Sequence, residues 1–513
     1  METPGRFLFS AWLIAGLTLI SRLLGLVRES LFSYFFATGE LLSAFRIAFQ
    51  APNLARRLFG EGALSSAMIP VLTETLQTRG EEASRRFVGS LLTLLAFVLA
   101  LAVVGVELAL LVWRAIDDDQ ALRLTAILMP YMALICTAAV ASGVLNVRRH
   151  FAVPAAAPTI LNVAMILALL AGTALAGGGD TVLMDWVCGS VLIAGVIQLA
   201  ITGLALKGVS FFPKFGMAWR DPQLRRVFTL MGPMALGLSA VQINTLVDSI
   251  IAYLFITENG ERVGPAVLGY AQFLYQLPLG VAGISLATAL FPELSTKVAQ
   301  NDREGFVQVF ERGMRMTLFI ALPSAVGLIF VAQPLVASLY ERGEFDASDT
   351  SRVAATLVFY SLGIPAYFAQ HIVVRAFYAL RDSRTPARAA VAMVALDLAL
   401  NLVLVFVMEE RGLALATAIC ATLQVAWLFT RLRRTMPLVT RRRLGSNLWR
   451  TLLATAAMGV ALMVISWLTA WIGSEPIRLL LLVGGGMVAY LVSARLLKIE
   501  ELREAFRRTT DPS

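Results

Sequence analysis

Long apolar stretches dominate the chain, each closed by a short polar or charged segment. A helix needs about 20 apolar residues to cross the hydrocarbon core of a bilayer, and longer stretches tilt or bend. Stretches that meet this requirement run over 8–36, 41–77, 87–114, 122–147, 155–177, 182–206, 228–256, 264–296, 314–340, 353–380, 387–408, 412–433, 449–472 and 477–497. The pattern predicts an all-α polytopic membrane protein with about fourteen transmembrane helices. The opening stretch does not read as a cleavable signal peptide. Arg22 and Arg28 interrupt it and no small-residue cleavage site follows.

The loops between these stretches fall into two sets. One set is basic: RGEEASRR (79–86), VRRH (147–150), LRR (224–226), TKVAQNDR (296–303), RDSRTPAR (381–388) and RLRRTMPLVTRRR (431–443). The alternate set, with ATGE, IDDDQ, GGGD, ENGER, ERGEFDASD, MEERG and GSE, is short and mostly acidic. By the positive-inside rule the basic set is cytoplasmic, which puts both termini in the cytoplasm of a multi-pass protein. Composition agrees: 58% of the residues are hydrophobic and 15% charged, against about 25% charged in a soluble domain. The net charge of +9 is then topological and lipid-facing, not a nucleic-acid footprint. The three cysteines (Cys136, Cys188, Cys420) sit in apolar runs and imply no disulfide framework.

Two pairs of segments resemble each other in the same order. IAFQAPNLARRLFGEGALSSAMIPVLTE (47–74) matches FLYQLPLGVAGISLATALFPELST (273–296), and FAVPAAAPTILNVAMILALL (151–170) matches SRTPARAAVAMVALDLALNL (383–402). An internal repeat predicts an N-terminal lobe over 1–208, a cytoplasmic linker over 209–227 and a C-terminal lobe over 228–436. Two further helices and a cytoplasmic tail occupy 437–513. Repeats of this kind belong to transporters whose halves rock about a central site. Pro52, Gly60, Gly62 and Pro70, with Pro278, Gly280, Gly283 and Pro292, mark bends that serve either as gates or as packing kinks.

Charges inside the first two stretches are the strongest functional signal. Arg22, Arg28, Glu29, Arg46, Arg56, Arg57 and Glu61 lie there, and each ion at mid-membrane costs about 2.5–3.5 kcal/mol. Arg22 and Arg28 are about 9 Å apart along a helix, so they cannot both reach one interface. An inward-facing basic lining fits Arg22, Arg28 and Arg56, with Glu29 as its carboxylate. Arg57 reads better as a residue snorkelling to the cytoplasmic side. Guanidinium groups bind phosphate bidentately, which points to a lipid-linked pyrophosphate.

A second polar cluster lies later in the chain. Asp397 and Asn401 share a helix face, as do Leu413 and Thr417, and Asn244 and Asp248 lie on the seventh stretch. The set reads equally as an oxygen-rich site for a monovalent cation or as an interhelical hydrogen-bond network. No HExxH, P-loop, GxSxG or CxxC motif is present, and His150 and His371 are isolated, so no enzyme is indicated.

The segments SRLLGLVRE (21–29), APNLARRLFGEGALSSAMIPVL (51–72), YQLPLGVAGISLATALFPELS (275–295), LYERGEFDASDT (339–350) and RAFYALRDSRTP (375–386) resemble the MurJ/MviN family of bacterial lipid II flippases over essentially the whole chain. The resemblance implies fourteen helices in two lobes, with a C-terminal pair beside a lipid-tail groove. It also implies transfer of an undecaprenyl-pyrophosphate-linked peptidoglycan precursor to the outer leaflet of the inner membrane by alternating access. The family's cavity arginines fall on Arg22, Arg28 and Arg56, with Glu29 at the acidic position. A sodium site in some relatives falls on Asp248, Asp397, Asn401, the Leu413 carbonyl and Thr417. Two positions depart from the pattern. Gln272 and Phe273 stand where the family usually has Asp-Arg, and Ser43 replaces an acidic residue, with Arg46 or Arg375 as compensating bases. The alternatives are a flippase for another polyprenyl-pyrophosphate-linked glycan and a non-transporting scaffold in peptidoglycan synthesis.

Overall fold

The computed structural model describes residues 4–60, 63–114, 116, 119–175, 177, 179–216, 221–436 and 441–503. The side chains at 4–12, 14, 15, 60, 63, 175, 233–241 and 441–447 lie outside that description. So do Glu61 and Gly62, two of the residues singled out above.

The described chain is helical almost throughout. It runs α1 (Pro4–Phe36), α2 (Glu40–Ala55), a π-helical turn (Arg56–Gly60), α3 (Ala63–Arg114), α4 (Gln120–Val147), α5 (Ala152–Leu175), α6 (Asp180–Gly208) and α7 (Pro222–Phe255). A two-stranded hairpin, β1 (Thr257–Glu258) and β2 (Glu261–Arg262), turns through Asn259 and Gly260, both with positive φ. There follow α8 (Gly264–Pro278), a second π-helical turn (Leu279–Gly283), α9 (Ile284–Ala299), α10 (Arg303–Tyr340), α11 (Ala347–Leu362) and α12 (Ile364–Ala379). The last four are α13 (Arg384–Met408), α14 (Glu410–Thr435), α15 (Arg441–Leu468) and α16 (Glu475–Leu496).

Among the described residues ten helices are long and apolar enough to cross a membrane, or eleven when α11 and α12, bent by 41° at Gly363, are taken together. One of the ten is the run Glu40–Arg114, whose 75 residues would stretch about 110 Å as a single helix against a core of about 30 Å. It is broken at Gly80, where φ of 79° and ψ of −176° suit glycine alone. The two π-helical turns each follow a proline, Pro52 and Pro278, and fall at matching places in the first pair of repeated segments. A π-turn widens the helix by one residue and frees a backbone group, and such turns concentrate at functional sites.

Contacts divide the chain into two units, Met1–Tyr253 with Thr257–Ala266, and Leu254–Ile256 with Val267–Ser513. Almost all of α7 thus groups with the first unit, whereas the repeat opens the second lobe at 228. Polar ties account for this grouping. Arg226 pairs with Glu74 at 2.8 Å, Arg57 donates to Gln242 at 2.8 Å, Gln50 donates to Ser249, and Tyr253 donates to Asp119 at 2.6 Å.

Within the first unit, rings of Phe32, Phe45, Phe49 and Tyr131 form a ladder with centroid separations of 5.5, 5.8 and 6.0 Å, joining α1, α2 and α4. Lipid tails are as apolar as leucine, so close packing rather than water exclusion holds such helices together. Gly195 on α6 illustrates it: a Cβ there would lie 2.7 Å from the Tyr131 ring. In the second unit, Phe306, Phe310, Ile372, Val373, Phe377 and Leu428 form the core. The terminal pair α15 and α16 packs on α10 through Met458, Leu462 and Leu482. Tyr490 donates to the Phe319 carbonyl at 2.6 Å, and Arg315 pairs with buried Glu501 at 2.9 Å.

Candidate functional site

The aromatic ladder sets two charged helix faces against each other. Phe32 lies one turn beyond Arg28 and Glu29 on α1, and Phe45 and Phe49 flank Arg46 on α2, so fixing the rings fixes the charges. Glu29 is only 4% exposed. One of its oxygens accepts from Arg28 at 2.6 Å and the other from Arg46 at 2.8 Å. One carboxylate therefore serves two guanidinium groups, leaving the trio with a net charge of +1. A carboxylate at this depth is tolerable only because both of its oxygens are engaged by cations.

A third helix enters through Asn162 of α5. Its side-chain oxygen accepts from Arg28 Nη1 at 2.9 Å, and its amide nitrogen donates to the Ser21 carbonyl of α1 at 3.0 Å. Sequence reasoning passed over Asn162, although one amide in the apolar run 151–170 was a usable signal. A buried amide in a membrane helix must find a partner.

The remaining first-unit candidates take different places. Arg22 is half-buried on α1 and has no hydrogen-bond or ion-pair partner among the described residues. Arg56 opens the π-helical turn and donates through Nε and Nη2 to Asn53, at 3.3 and 3.1 Å. Exposed Arg57 reaches Gln242, away from the trio. Ser43, fully buried, accepts from the Ala266 backbone N–H at 3.2 Å, capping the first turn of α8. A helix start leaves its first N–H groups unsatisfied, and a hydroxyl can serve one of them without adding charge. Arg46, expected as a compensating base, is a full member of the trio.

At the α3–α4 turn, Asp119 caps α4 by accepting from Ala121 N–H at 2.7 Å. It also accepts from Tyr253 Oη and pairs with Arg262 of the hairpin, whose guanidinium lies 4.6 Å from the Tyr253 ring centroid. Burial pushes the Asp119 carboxyl up, but the bonds from Tyr253, Ala121 and Arg262 outweigh it and hold the group below its ordinary value.

In the second unit, Gln272 of α8 donates to Tyr360 Oη at 3.0 Å, and Phe273 beside it is half-buried. Tyr275 stacks on Tyr360 and lies 5.3 Å from Tyr367 between ring centroids. Arg375 on α12 is half-buried, with Nη1 lacking a hydrogen-bond partner among the described residues. Asp397 and Asn401 of α13 are buried, and Asn401 donates to Asp397 at 2.8 Å. On α14, Thr417 donates to the Leu413 carbonyl at 3.0 Å. Asp248 belongs to the first unit, where Asn244 donates to it at 3.4 Å. Carboxylate, amide, carbonyl and hydroxyl oxygens are donors suited to a hard cation. Among the described residues no group of three or more His, Cys, Asp and Glu gathers to hold a metal ion.

Fold and site together define a class: a polytopic α-helical membrane protein whose first unit encloses a net-positive cluster of guanidinium groups. The family model for the lipid II flippase MurJ matches residues 32–481. The chain is 35% identical to the probable lipid II flippase MurJ of Rhizobium tropici, over 88% of this chain and 86% of that one. It is 34% identical to the lipid II flippase MurJ of Burkholderia cenocepacia, over 83% and 84%. Among solved structures, lipid II flippase MurJ in an inward closed conformation superposes with a TM-score of 0.77 at 26% identity, covering 94% of this chain and 98% of that one. An inward-facing multidrug-resistance transporter of the MATE family shares the fold, with a TM-score of 0.66 at 14% identity over 84% and 98%. This chain belongs to the MurJ lipid II flippase family.

Proposed function

We propose that this protein flips lipid II, the polyprenyl-pyrophosphate-linked peptidoglycan precursor, from the cytoplasmic to the outer leaflet of the bacterial inner membrane. Family membership and the Arg28–Glu29–Arg46 trio support this reading, the trio being the observation that carries the chemistry. A pyrophosphate needs guanidinium donors already oriented and already stripped of water. Glu29 and Asn162 orient Arg28, and the surplus positive charge stays with the arginines. Arg22 and Arg56 extend the basic lining along α1 and into the π-helical turn. The work done is transport; no bond in the substrate is made or broken.

The protein crosses the membrane fourteen times with both termini cytoplasmic, a count supported by the break of Glu40–Arg114 at Gly80 and by the basic loops. The membrane potential, negative inside, then favours outward movement of an anionic head group by about 2.3 kcal/mol per charge per 100 mV. Asp397, Asn401, the Leu413 carbonyl and Thr417 would hold Na+ within the second unit. A bound Na+ would supply fixed positive charge there.

Growth of a strain depleted of its own lipid II flippase tests the reading. The unaltered chain restores growth, Arg28→Ala at equal membrane abundance does not, and Phe273→Arg is tolerated. Normal growth on Arg28→Ala overturns the role assigned to the trio.

A further inference from the structure

Arg28 can donate five hydrogen bonds through its guanidinium. Nη2 serves Glu29 and Nη1 serves Asn162, with the Met165 sulfur 4.0 Å from Nη1. Its Nε is buried and has no hydrogen-bond partner among the described residues. A buried donor left unsatisfied costs free energy and marks either strain or a site for a ligand atom. Two neighbours thus hold the group at its tip, while the inner donor stays available.

Asn162 is built for this arrangement. Its nitrogen is committed to the Ser21 carbonyl and lies 3.5 Å from the Ser21 hydroxyl, which leaves the side-chain oxygen turned to Arg28. The amide orientation therefore follows from its partners. Asn162 is 7% exposed and ties α5 to two successive turns of α1. It also holds Arg28 without charge. Glu29 already cancels one of the two guanidinium charges, and a second carboxylate at 162 would cancel the other.

We propose that Asn162 is a positioning residue for anion recognition: it aims the Arg28 guanidinium at the pyrophosphate and, being neutral, preserves the net positive charge of the site. This inference rests on the pyrophosphate reading given above. Asn162 acts through Arg28 and does not itself touch the anion. The amide is the isostere of a carboxylate, so Asn162→Asp changes charge with little change of shape. Asn162→Ala removes the hold on Arg28 with no change of charge.

Purified full-length protein in detergent, titrated with undecaprenyl pyrophosphate, tests this. Asn162→Ala weakens binding about tenfold, the loss expected for one charge-assisted hydrogen bond. Asn162→Asp weakens it further and flattens its dependence on salt, because the site loses its surplus charge. In an Arg28→Ala background, Asn162→Ala brings no further loss, since the group it positions is gone. Asn162→Ser, which shortens the side chain but remains polar, stands in for the alanine variant should that variant fail to fold, with the same expectation. Losses that add in the double variant, or binding unchanged in Asn162→Ala and Asn162→Asp, overturn the proposal while leaving the pyrophosphate reading intact. No binding of undecaprenyl pyrophosphate by the unaltered chain, or binding no tighter than that of a control lipid without phosphate, overturns both.

Discussion

Removing Glu29 should do more damage than removing one of the arginines it serves. Glu29→Ala leaves two guanidinium groups on α1 and α2 facing each other where a single carboxylate stood, 2.6 Å from one and 2.8 Å from the other. Breaking a buried ion pair by deleting one partner costs about 3–5 kcal/mol, because the survivor stays buried and uncompensated. Two guanidinium charges about 5–7 Å apart, at an effective dielectric of about 20, repel by about 2–3 kcal/mol. Arg28 and Arg46 are 19% and 17% exposed, so entry of water relieves part of this. A net loss of about 3–4 kcal/mol remains, worth roughly 3–4 °C of apparent melting temperature in a chain of this size. Adding Arg46→Ala to Glu29→Ala returns the trio to a net +1 and removes the repulsion. The double variant should therefore melt higher than Glu29→Ala alone, by about 1–2 °C. Thermal unfolding of the four proteins in one detergent or nanodisc gives the complete cycle. A double variant less stable than Glu29→Ala would refute the reasoning, since it would mean that repulsion between the two guanidinium groups is not what Glu29 relieves.

Other features give independent outcomes. Asp119 has its pKa depressed by its partners, so its contribution to stability is present above the ordinary value of 3.8 and is lost as the pH falls through its lower folded value. The melting temperature of the unaltered chain should fall more steeply below about pH 4 than that of Asp119→Asn, and the two should differ by a constant amount from pH 5 to 8. Gly89 on α3 lies under the segment 211–216, and a Cβ there would overlap the Lys214 carbonyl. Gly89→Ala should therefore displace that segment and expose Lys214 N–H, bonded to the Arg85 carbonyl at 3.0 Å, to faster hydrogen exchange. Glu410, fully buried, pairs with Arg352 at 2.9 Å. Glu410→Gln should lower the melting temperature by several degrees, with Arg352→Met in addition restoring part of it; additive losses would count against a buried pair.

Much of this architecture was legible in the sequence because lipid imposes so strict a rule. A spanning helix must be apolar for about 20 residues, so helices α4, α6, α10, α13, α14 and α16 appear as uninterrupted runs. The break at Gly80 falls in the basic loop 79–86 that hydropathy places between two stretches, and its positive φ shows the residue at which Glu40–Arg114 changes course. Other bends were harder to see. The bend at Gly363 falls inside what reads as one apolar stretch. The grouping of α7 with the first unit depends on single polar contacts between residues more than a hundred positions apart, such as Tyr253 with Asp119. Hydropathy does not register such contacts.

The site was legible in part. Arg28 and Glu29 stood out because charge inside an apolar stretch is costly, and the structure joins them directly. Arg46 reads from sequence as one more charge within the second stretch and as a compensating base, and the structure sets it on the same carboxylate. Ser43 was weighed as the loss of an acid, whereas its hydroxyl caps α8, a role that depends on a helix more than two hundred residues away. Asn162 was missed because an uncharged amide raises no alarm in a count of charges, although its burial obliges it to bond.

The most direct measurement follows lipid II itself in cells depleted of their own flippase. Its accessibility at the outer face is assayed in the presence of this chain and of its Arg28→Ala variant at matched abundance. The account predicts that the unaltered chain restores outer-face lipid II and that Arg28→Ala leaves it inside. Lipid II that stays inside with the unaltered chain, or reaches the outer face equally with Arg28→Ala, would contradict it.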